Sequence, residues 1–292
     1  MGFLDKFMCR VIGATYDAIL GGFPPTVRIE TTNRCNARCT ICPHSRMERE
    51  SGTMDDELYR SLVDECAARG CNTLHLHNFG EPLLDPDLPE RIAYAKGKGI
   101  GKVKIFTNGS LLSGSRAQAL LESGLDEIKV SIDGADGEEF ESIRLGLRYN
   151  RVVSNVDAFV RLRNEKNRTR PRVTVACCST SNREQSQDRL GAVVDEYDFT
   201  RIHNWGDQDE SGRRRIRKPC SRVWRTFTVL WNGDVALCCL DYDGKVILGN
   251  LTQDGSIAKV WKNSRYRDVR AHHRSAEQDR ISICEHCSKS FF

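Results

Sequence analysis

The sequence has no long apolar run, no secretion signal and little net charge. No stretch of about 18 apolar residues occurs in the 292-residue chain, so the sequence predicts no membrane span. Acidic and basic residues interrupt the apolar positions of segment 1–22, which excludes a signal-peptide core. The net charge of +4 is too small to indicate a nucleic-acid partner. We therefore predict a cytoplasmic protein that binds neither membranes nor nucleic acid.

Cysteine, in contrast, is abundant. Thirteen cysteines in a chain without a secretion signal indicate a reducing compartment, and they favour metal ligation over disulfides. Their placement is uneven: three fall within positions 35–42, adjacent pairs occupy 177–178 and 238–239, and a CxxC pair spans 284–287. We therefore expect the chemically active sites of the chain at these few groups of cysteines.

The segment NRCNARCTICPHS, residues 33–45, supplies Cys35, Cys39 and Cys42. A short loop with these spacings can hold three corners of a [4Fe–4S] cubane, whose fourth iron then has no protein ligand. A zinc ion is the alternative, but it needs a fourth ligand, and His44 is close yet awkwardly placed. The spacing favours the cluster.

From residue 26 onward, short β-branched runs alternate with helical patterns, including a predicted helix around 183–196. Strict alternation predicts an α/β fold with a parallel sheet, either an open or incomplete barrel or a doubly wound sheet. Both arrangements place a site at the carboxyl ends of the strands. The six predicted strands are residues 26–32, 73–80, 102–109, 126–134, 172–179 and 200–206.

The alternation breaks near residue 206, and the basic run that follows, 212–219, is interpreted as a solvated loop between domains. Beyond it, residues 225–240 predict a hairpin with Asn-Gly at its tip, and a helix is predicted across 255–272. The apolar content of this region is low for its size, so we expect a cross-link, such as a bound metal centre, to stabilise it. Four thiols could provide it: Cys220, Cys238 on the second hairpin strand, Cys284 and Cys287. Taken alone, they would suit zinc.

The three-cysteine spacing and four later motifs together resemble the radical S-adenosylmethionine (SAM) superfamily. FGEP (79–82), TNG (107–109), SIDG (131–134) and SIRLG (142–146) follow in that family's order. The resemblance implies a partial (β/α)6 barrel in which a [4Fe–4S] cluster binds SAM and cleaves it to a 5′-deoxyadenosyl radical. Cys35, Cys39 and Cys42 would hold that cluster. The resemblance also implies SAM contacts at Ile41, Gly80, Glu81, Asn108, Ser131, Asp133 and Arg144.

Two positions depart from the family's pattern. Ile41 stands where an aromatic residue usually lies against adenine, so we expect altered packing there without loss of SAM binding. Phe79 replaces the first glycine of the family's GGEP motif. The backbone geometry at that position is therefore in question.

The C-terminal cysteines resemble the shortened SPASM, or twitch, module of the same superfamily, which holds one auxiliary [4Fe–4S] cluster. NGDVALCC, LGNL and the terminal CxxC occur in the expected order. This implies Cys220, Cys238, Cys284 and Cys287 as ligands, with Cys239 as the alternative to Cys238, and two [4Fe–4S] clusters in all. The predicted domains are an N-terminal extension, 1–25; the radical SAM core, 26–206; a linker, 207–219; and the auxiliary-cluster module, 220–292.

Strand alternation sorts the remaining polar residues by face. It places Lys129 inward with Ser131 and Asp133, His75 and His77 inward beside FGEP, and Cys178 inward at the carboxyl end of its strand. A thiol can hand a hydrogen atom to a carbon radical, so Cys178 is a candidate hydrogen donor, ahead of Cys239. His75 and His77 are candidate substrate contacts or bases. Cys177 is expected to be a buried hydrophobe.

Short chains of this layout resemble the deoxy-scyllo-inosamine dehydrogenases and sugar epimerases of aminoglycoside pathways. That resemblance implies a sugar or aminocyclitol substrate, attack on a carbinol C–H bond, and a flavodoxin- or ferredoxin-type electron donor. Cys178 favours epimerisation; the alternative is dehydrogenation to a ketone with the auxiliary cluster as electron acceptor. A peptide maturase is less favoured because the 25 residues before the first strand leave no room for a leader-binding domain. A non-catalytic iron–sulfur protein is the remaining alternative.

Overall fold

The computed structural model describes residues 3–205 and 217–287. Most of the predicted linker, 207–219, lies outside these residues, and the predicted domain limits stay a prediction. Within the described ranges, no helix has both the length and the apolar character that a membrane crossing needs.

Strands and helices alternate along most of the chain. The strands are β1 (Thr26–Ile29), β2 (Arg38–Cys39), β3 (Thr73–His75), β4 (Lys102–Thr107), β5 (Glu127–Ser131), β6 (Arg144–Leu145), β7 (Arg172–Cys177), β8 (Glu196–Phe199), β9 (Thr226–Val229), β10 (Asp234–Ala236) and β11 (Ile247–Asn250). The helices are α1 (Phe3–Leu20), α2 (Asp56–Ala68), α3 (Leu88–Gly97), α4 (Gly114–Glu122), α5 (Gly137–Ile143), α6 (Tyr149–Glu165), α7 (Arg183–Asp188), α8 (Arg222–Arg225), α9 (Leu251–Asp254), α10 (Ile257–Trp261), α11 (Ser264–Arg274) and α12 (Ser282–Glu285). Short 3-10 turns lie at Pro43–Arg46, Pro82–Leu84 and Gln278–Arg280.

The described residues form two compact units. We call residues 30–54 and 73–202 the parallel unit. We call the described residues of 1–29, 55–72 and 203–292 the mixed unit.

The parallel unit is built on strands β3-β4-β5-β7-β8, paired in that order and all parallel. Alternate residues such as Ile105 and Val130 are fully buried. Helix α6 covers this face, since Val130 and Val152 both lie against Gly109. Burying such a side chain stabilises the fold by about 1.5–3 kcal/mol. The other face of the sheet carries the intervening residues, which are polar side chains together with Phe106 and Ala176.

The last strand of this unit lies earlier than predicted. The prediction of a strand at 200–206 and a helix to residue 196 is wrong: α7 ends at Asp188 and β8 begins at Glu196. Asp195 sets this start, because its carboxylate accepts from the N–H of Val173 at 2.6 Å and from Arg163 at 2.5 Å. These hydrogen bonds join segments that are distant in sequence, so the local pattern of apolar residues cannot predict where β8 begins.

The mixed unit carries strands β11-β10-β9-β1 in that order. β1 and β9 are parallel, with Thr26 opposite Thr226, while β9, β10 and β11 are antiparallel. The predicted hairpin is confirmed, and Gly233 at its tip has φ +86°. Glycine adopts this conformation without the strain that a side chain would cause.

Two local predictions for this unit are wrong. β10 ends at Ala236, so Cys238 follows the second hairpin strand and is not part of it. The helix predicted across 255–272 is two helices, α10 and α11. Asn263 separates them, since its side chain caps α11 by accepting from the N–H of Tyr266 at 2.9 Å.

Aromatic side chains form the core of the mixed unit. Trp224, Phe227, Trp261 and Tyr266 are fully buried, and the ring centroids of Trp261 and Tyr266 lie 4.9 Å apart. Asp17 on α1 accepts from the indole N–H of Trp224 at 2.7 Å, which ties the N-terminal helix to this core. The unit therefore has an aromatic core in addition to its cysteines.

Candidate active site

Cys35, Cys39 and Cys42 lie half-buried on one loop of the parallel unit. The N–H of Cys42 donates to the carbonyl of Cys39 at 3.1 Å. Burial raises the pKa of the Cys35 thiol to about 12, and the nearby thiols of Cys39 and Cys42 contribute to the rise. Burial also raises the pKa of Cys42. A cationic centre that turns these thiols into thiolates therefore fits the loop.

The loop suits a cluster better than a single ion. Among residues 3–205 and 217–287, no three His, Cys, Asp or Glu side chains come close enough to hold one ion. The Nε2 atom of His44, the candidate fourth zinc ligand, bonds the carbonyl oxygen of Asn33 at 2.7 Å. A cubane binds each thiolate through a different iron, so its ligands lie farther apart than those of one zinc ion.

A buried ion pair connects the cysteine loop with the end of β5. Arg144 donates to the Asp133 carboxylate through Nε at 2.8 Å and through Nη2 at 2.5 Å, and Asp133 is fully buried. The Nη1 atom of Arg144 lies 3.8 Å from the sulfur of Cys39, its partner in the β2–β6 pairing. Two predicted SAM-contact residues therefore meet directly beside Cys39, a predicted cluster ligand.

Glu81 is buried at the ends of β3 and β4. Its carboxylate accepts from the Thr107 hydroxyl at 2.6 Å, the Asn108 N–H at 2.7 Å and the Leu83 N–H at 3.0 Å. Burial raises its pKa, and these hydrogen bonds oppose that rise. The N–H of Glu81 donates to the carbonyl of Arg34 at 2.8 Å, so Glu81 also links the FGEP turn to the cysteine loop.

Asn36, which the sequence analysis missed, joins the cysteine loop to the TNG segment. Its side chain donates to the Ser110 hydroxyl and accepts from the amide of Asn108, both at 2.9 Å. Asn36 lies between two predicted cluster ligands, Cys35 and Cys39, and that position was its only sequence signal. Hydrogen bonds within the chain therefore hold the cysteine loop at the end of β4.

Three further residues were predicted to contact SAM: Ile41, Gly80 and Ser131. Ile41 is half-buried immediately before Cys42, and Ser131 ends β5 opposite Ala176. Gly80 lies in the FGEP turn. The roles of all these residues toward SAM stay predictions.

Phe79, the departure from the GGEP pattern, is accommodated without unusual backbone geometry. Its φ is not positive, and its side chain is buried. Its N–H donates to Glu30 at 3.3 Å, and Arg49 holds that carboxylate through two 2.6 Å hydrogen bonds. The ion pair with Arg49 therefore holds the Glu30 carboxylate in place, and that carboxylate positions the backbone N–H of Phe79.

Gly80 requires the absence of a side chain. It has φ +105°, and a Cβ there would lie 2.7 Å from the carbonyl carbon of Asn33 and from the carbonyl oxygen of Thr32. We expect Gly80→Ala to lower the free energy of unfolding by about 3 kcal/mol or more, because backbone must move. Urea unfolding followed by circular dichroism measures this loss.

Gly70→Ala is the matched control. Gly70 also has positive φ, +73°, but no atom of the described residues lies within 4 Å of the point that a Cβ would occupy there. Gly70→Ala should lower the free energy of unfolding by only about 1–2 kcal/mol, which is the conformational penalty of a side chain at positive φ. Equal costs at the two positions would contradict the close approach at Gly80.

The face of the parallel sheet opposite α6 carries a group of polar and aromatic side chains, which we call the floor: His75, His77, Phe106, Lys129 and Asp198. His75 and His77 stack with centroids 5.4 Å apart, and His77 stacks on Phe106 at 4.5 Å. Lys129 donates to Asp198 at 2.8 Å, and its ammonium lies 5.8 Å from the centre of the Phe106 ring. Phe106 is 36% exposed, which is unusual for a phenylalanine on a sheet. Rings and paired charges of this kind suit a polyhydroxylated molecule.

Cys178 lies just beyond β7 on this face. Its N–H donates to Asp133 at 2.6 Å, and its sulfur lies 3.1 Å from the hydroxyl oxygen of Thr200. Burial raises the pKa of the Cys178 thiol, so the S–H bond is intact at neutral pH. Cys177, on the opposite face, is almost fully buried. Thr200 was not predicted as a site residue, because it fell inside the strand predicted at 200–206.

A second group of thiols lies in the mixed unit. Burial raises the pKa of Cys238, and Cys239, Cys284 and Cys220 raise it further. Cys287 and Cys220 likewise contribute to the raised pKa of Cys284. The four predicted auxiliary ligands therefore cluster together with Cys239, and the choice between Cys238 and Cys239 stays open.

Two basic side chains that the sequence analysis missed lie among these thiols. Arg222 follows Cys220 by two residues, and the N–H of Arg222 bonds the Cys220 sulfur. His273 on α11 lies with Nε2 3.8 Å from the sulfur of Cys284. Arg222 could have been suspected from its closeness to Cys220, whereas His273 gave no sequence signal.

The fold and these two sites agree with the family matches. Residues 29–175, half of the chain, match the radical SAM superfamily, and residues 220–288 match the SPASM iron–sulfur cluster-binding domain. The chain belongs to the radical SAM superfamily and carries a SPASM domain. Its mixed α/β fold with a parallel sheet is the predicted one, and its cofactors are SAM and two [4Fe–4S] clusters.

Two curated relatives differ in how much of the chain they match. A GTP 3′,8-cyclase of Chlorobaculum tepidum is 33% identical over 68% of this chain, but the match spans only 56% of the cyclase. An S-adenosyl-L-methionine-dependent 2-deoxy-scyllo-inosamine dehydrogenase of Niallia circulans is 23% identical over 90% of this chain and 92% of its own length. The chain thus spans about half of the cyclase and nearly all of the dehydrogenase.

Solved structures share the fold across nearly the whole chain. BtrN in complex with AdoMet and 2-DOIA superposes with a TM-score of 0.64 at 20% identity, covering 91% of this chain and 93% of BtrN. Streptococcus suis SuiB bound to precursor peptide SuiA gives 0.68 at 14% identity, covering 94% of this chain and 73% of SuiB. At these identities the likeness establishes the fold.

Proposed function

We propose that this enzyme removes the hydrogen atom from a hydroxyl-bearing carbon of a sugar or aminocyclitol and oxidises that carbon to a ketone. The observation that carries the proposal is the second thiol site, where cysteines gather around the basic side chains of Arg222 and His273. Oxidation leaves one electron that must be accepted, whereas epimerisation through a thiol leaves a thiyl radical that must gain one electron and one proton. The end-to-end match with a 2-deoxy-scyllo-inosamine dehydrogenase supports the substrate class.

The bound cofactors supply the hydrogen-abstracting radical at the first cluster and an electron acceptor at the second. In this proposal Cys35, Cys39 and Cys42 hold the first cluster, and Cys220, Cys238, Cys284 and Cys287 hold the second. Asp133, Arg144, Glu81 and the backbone around them would hold SAM. A flavodoxin- or ferredoxin-type protein would deliver the starting electron.

The floor of the parallel unit would bind the substrate in this proposal. The partly exposed ring of Phe106 offers an apolar face to ring C–H bonds, and the Lys129–Asp198 pair offers hydrogen bonds to hydroxyl or amino groups. His75 or His77 would take the hydroxyl proton, because both lie on this floor. Each of these groups lies on the sheet face opposite the one that α6 covers.

Epimerisation is the second candidate, and the contacts of Cys178 favour it. The thiol lies 3.1 Å from the Thr200 hydroxyl and keeps its proton at neutral pH. A thiol held in this way could return a hydrogen atom to the opposite side of a carbon radical. Its S–H bond breaks as the new C–H bond forms, and the flavodoxin- or ferredoxin-type donor would supply the electron that, with a solvent proton, restores the thiol. The two candidates differ in their products, so one experiment separates them.

The reconstituted enzyme is incubated in deuterium oxide with SAM, dithionite and 2-deoxy-scyllo-inosamine, and the product is analysed by mass spectrometry. Oxidation predicts a product that has lost two hydrogens. Epimerisation predicts an inverted carbon carrying one solvent deuteron, and Cys178→Ala should abolish that deuteron incorporation. Cys177→Ala, the buried neighbour, should change neither outcome.

Formation of 5′-deoxyadenosine tests the radical chemistry itself. If the fully loaded protein forms none with SAM and dithionite, with or without this substrate, the enzymatic proposal fails and a non-catalytic iron–sulfur protein remains. If 5′-deoxyadenosine forms but the aminocyclitol is unchanged, the substrate class is wrong.

A further inference from the structure

The imidazole of His273 bridges two of the predicted auxiliary-cluster cysteines. The backbone N–H of Cys220 donates to Nδ1 of His273 at 3.2 Å, and Nε2 lies 3.8 Å from the sulfur of Cys284. His273 is fully buried, and its ring meets Trp224 edge-on with centroids 6.1 Å apart. The ring is therefore fixed in one orientation.

This arrangement determines which nitrogen carries the proton. Nδ1 accepts a hydrogen bond from Cys220, so the proton of the neutral ring must lie on Nε2. The Nε2–H group then points at the sulfur of Cys284. Since a cluster-bound thiolate is purely an acceptor, His273 can only donate to it.

Arg222 brings a positive charge to the same thiols. Its Nη1 atom is buried and has no hydrogen-bond partner within residues 3–205 and 217–287. Arg222 lies close to the thiols of Cys239, Cys238 and Cys220. A buried guanidinium nitrogen without a hydrogen-bond acceptor is costly, and a negatively charged cluster would compensate it.

We propose that His273 and Arg222 tune the auxiliary cluster toward its reduced state, His273 through an Nε2–H···S hydrogen bond to Cys284 and Arg222 through its charge. Reduction adds one electron, and therefore one negative charge, to the cluster and its thiolates. A hydrogen-bond donor and a cation both interact more strongly with the more negative state, so both raise the reduction potential. This inference rests on the proposed auxiliary cluster, and it supplies the electron acceptor that oxidation needs.

The test measures the midpoint potential of the auxiliary cluster alone. The full chain with Cys35, Cys39 and Cys42 all changed to alanine is reconstituted with iron and sulfide, so that one cluster remains. A redox titration followed by electron paramagnetic resonance gives its potential without any substrate. Five variants are compared in this background: His273→Asn, His273→Gln, Arg222→Gln, Arg222→Lys and the control His272→Asn.

The histidine pair separates the two contacts of the ring. Asparagine can still accept from the Cys220 N–H but has no donor that reaches Cys284, whereas glutamine places an amide N–H near the position of Nε2. We expect His273→Asn to shift the redox equilibrium about tenfold toward the oxidised cluster, about 59 mV for one electron. His273→Gln should recover at least part of that shift. His272→Asn, which loses a contact with Glu277, should leave the potential unchanged.

The arginine pair isolates charge in the same way. Arg222→Gln should lower the potential by a similar amount, and Arg222→Lys should keep it close to the parent value. Potentials unchanged in both His273→Asn and Arg222→Gln, with iron content intact, would overturn the inference and leave the proposed function standing. A parent protein that binds no cluster would instead overturn the auxiliary site and the inference together.

Discussion

The reconstituted Cys42→Ala protein should form no 5′-deoxyadenosine above background. Cys42 is one of only three thiols on the proposed SAM-cluster loop, and a cubane held by two protein ligands is not retained. We expect a loss of more than about 100-fold, since even a group that merely supports a metal ligand contributes 10–100-fold. The measurement is anaerobic incubation with SAM and dithionite, followed by chromatographic quantification.

Iron content shows whether the loss has the proposed cause. Cys42→Ala should lose the iron of one cluster and keep that of the other, because the second thiol site lies in the mixed unit. Cys66→Ala is the control, since Cys66 is a buried cysteine of α2 that hydrogen-bonds Cys71. If Cys42→Ala retained both clusters and its activity, the cysteine loop could not be the SAM-cluster site.

Arg144→Gln should strongly destabilise the parallel unit, because it removes one partner of a buried ion pair. Asp133 is 0% exposed and Arg144 12%, so the variant leaves a buried carboxylate with only backbone N–H donors. Removing one partner of a buried pair costs about 3–5 kcal/mol. Urea unfolding of the protein without cofactors gives this value directly.

Arg161→Gln in α6 is the control for charge removal alone. Its partner Asp157 is one helical turn away, and the two side chains are 72% and 30% exposed. Exposed pairs at this spacing contribute about 0.3–0.5 kcal/mol. SAM affinity adds a second measurement, since Arg144→Gln should also weaken SAM binding and Arg161→Gln should not. Similar losses of stability in the two variants would show that the Asp133–Arg144 pair is not effectively buried.

The sequence predicts the parallel sheet because that information is local. Apolar residues alternate in the strand segments, and helical spacing such as Val152, Val156 and Phe159 marks the covering helices. The cysteine spacing is likewise local. The misplaced β8 shows the limit, because its start depends on Asp195 meeting Arg163 from a different part of the chain.

The same limit applies to the candidate sites. Motif order identified Glu81, Asp133 and Arg144, but it could not show that Arg144 binds Asp133 and approaches Cys39. His273 was not predicted, because a histidine within a helical segment carries no local sign of which residues it will contact. Its contact with Cys284 exists only once α11 and α12 have packed together.

The parallel pairing of β1 with β9 has a consequence for how the chain is made. Thr26 pairs with Thr226, on the order of 200 positions further along, so β1 leaves the ribosome long before its partner. Closing so long a loop is slow, and an unpaired strand edge is prone to aggregate while it waits. We therefore expect the mixed unit to be completed late in synthesis, with the newly made chain dependent on chaperones until residue 226 has emerged.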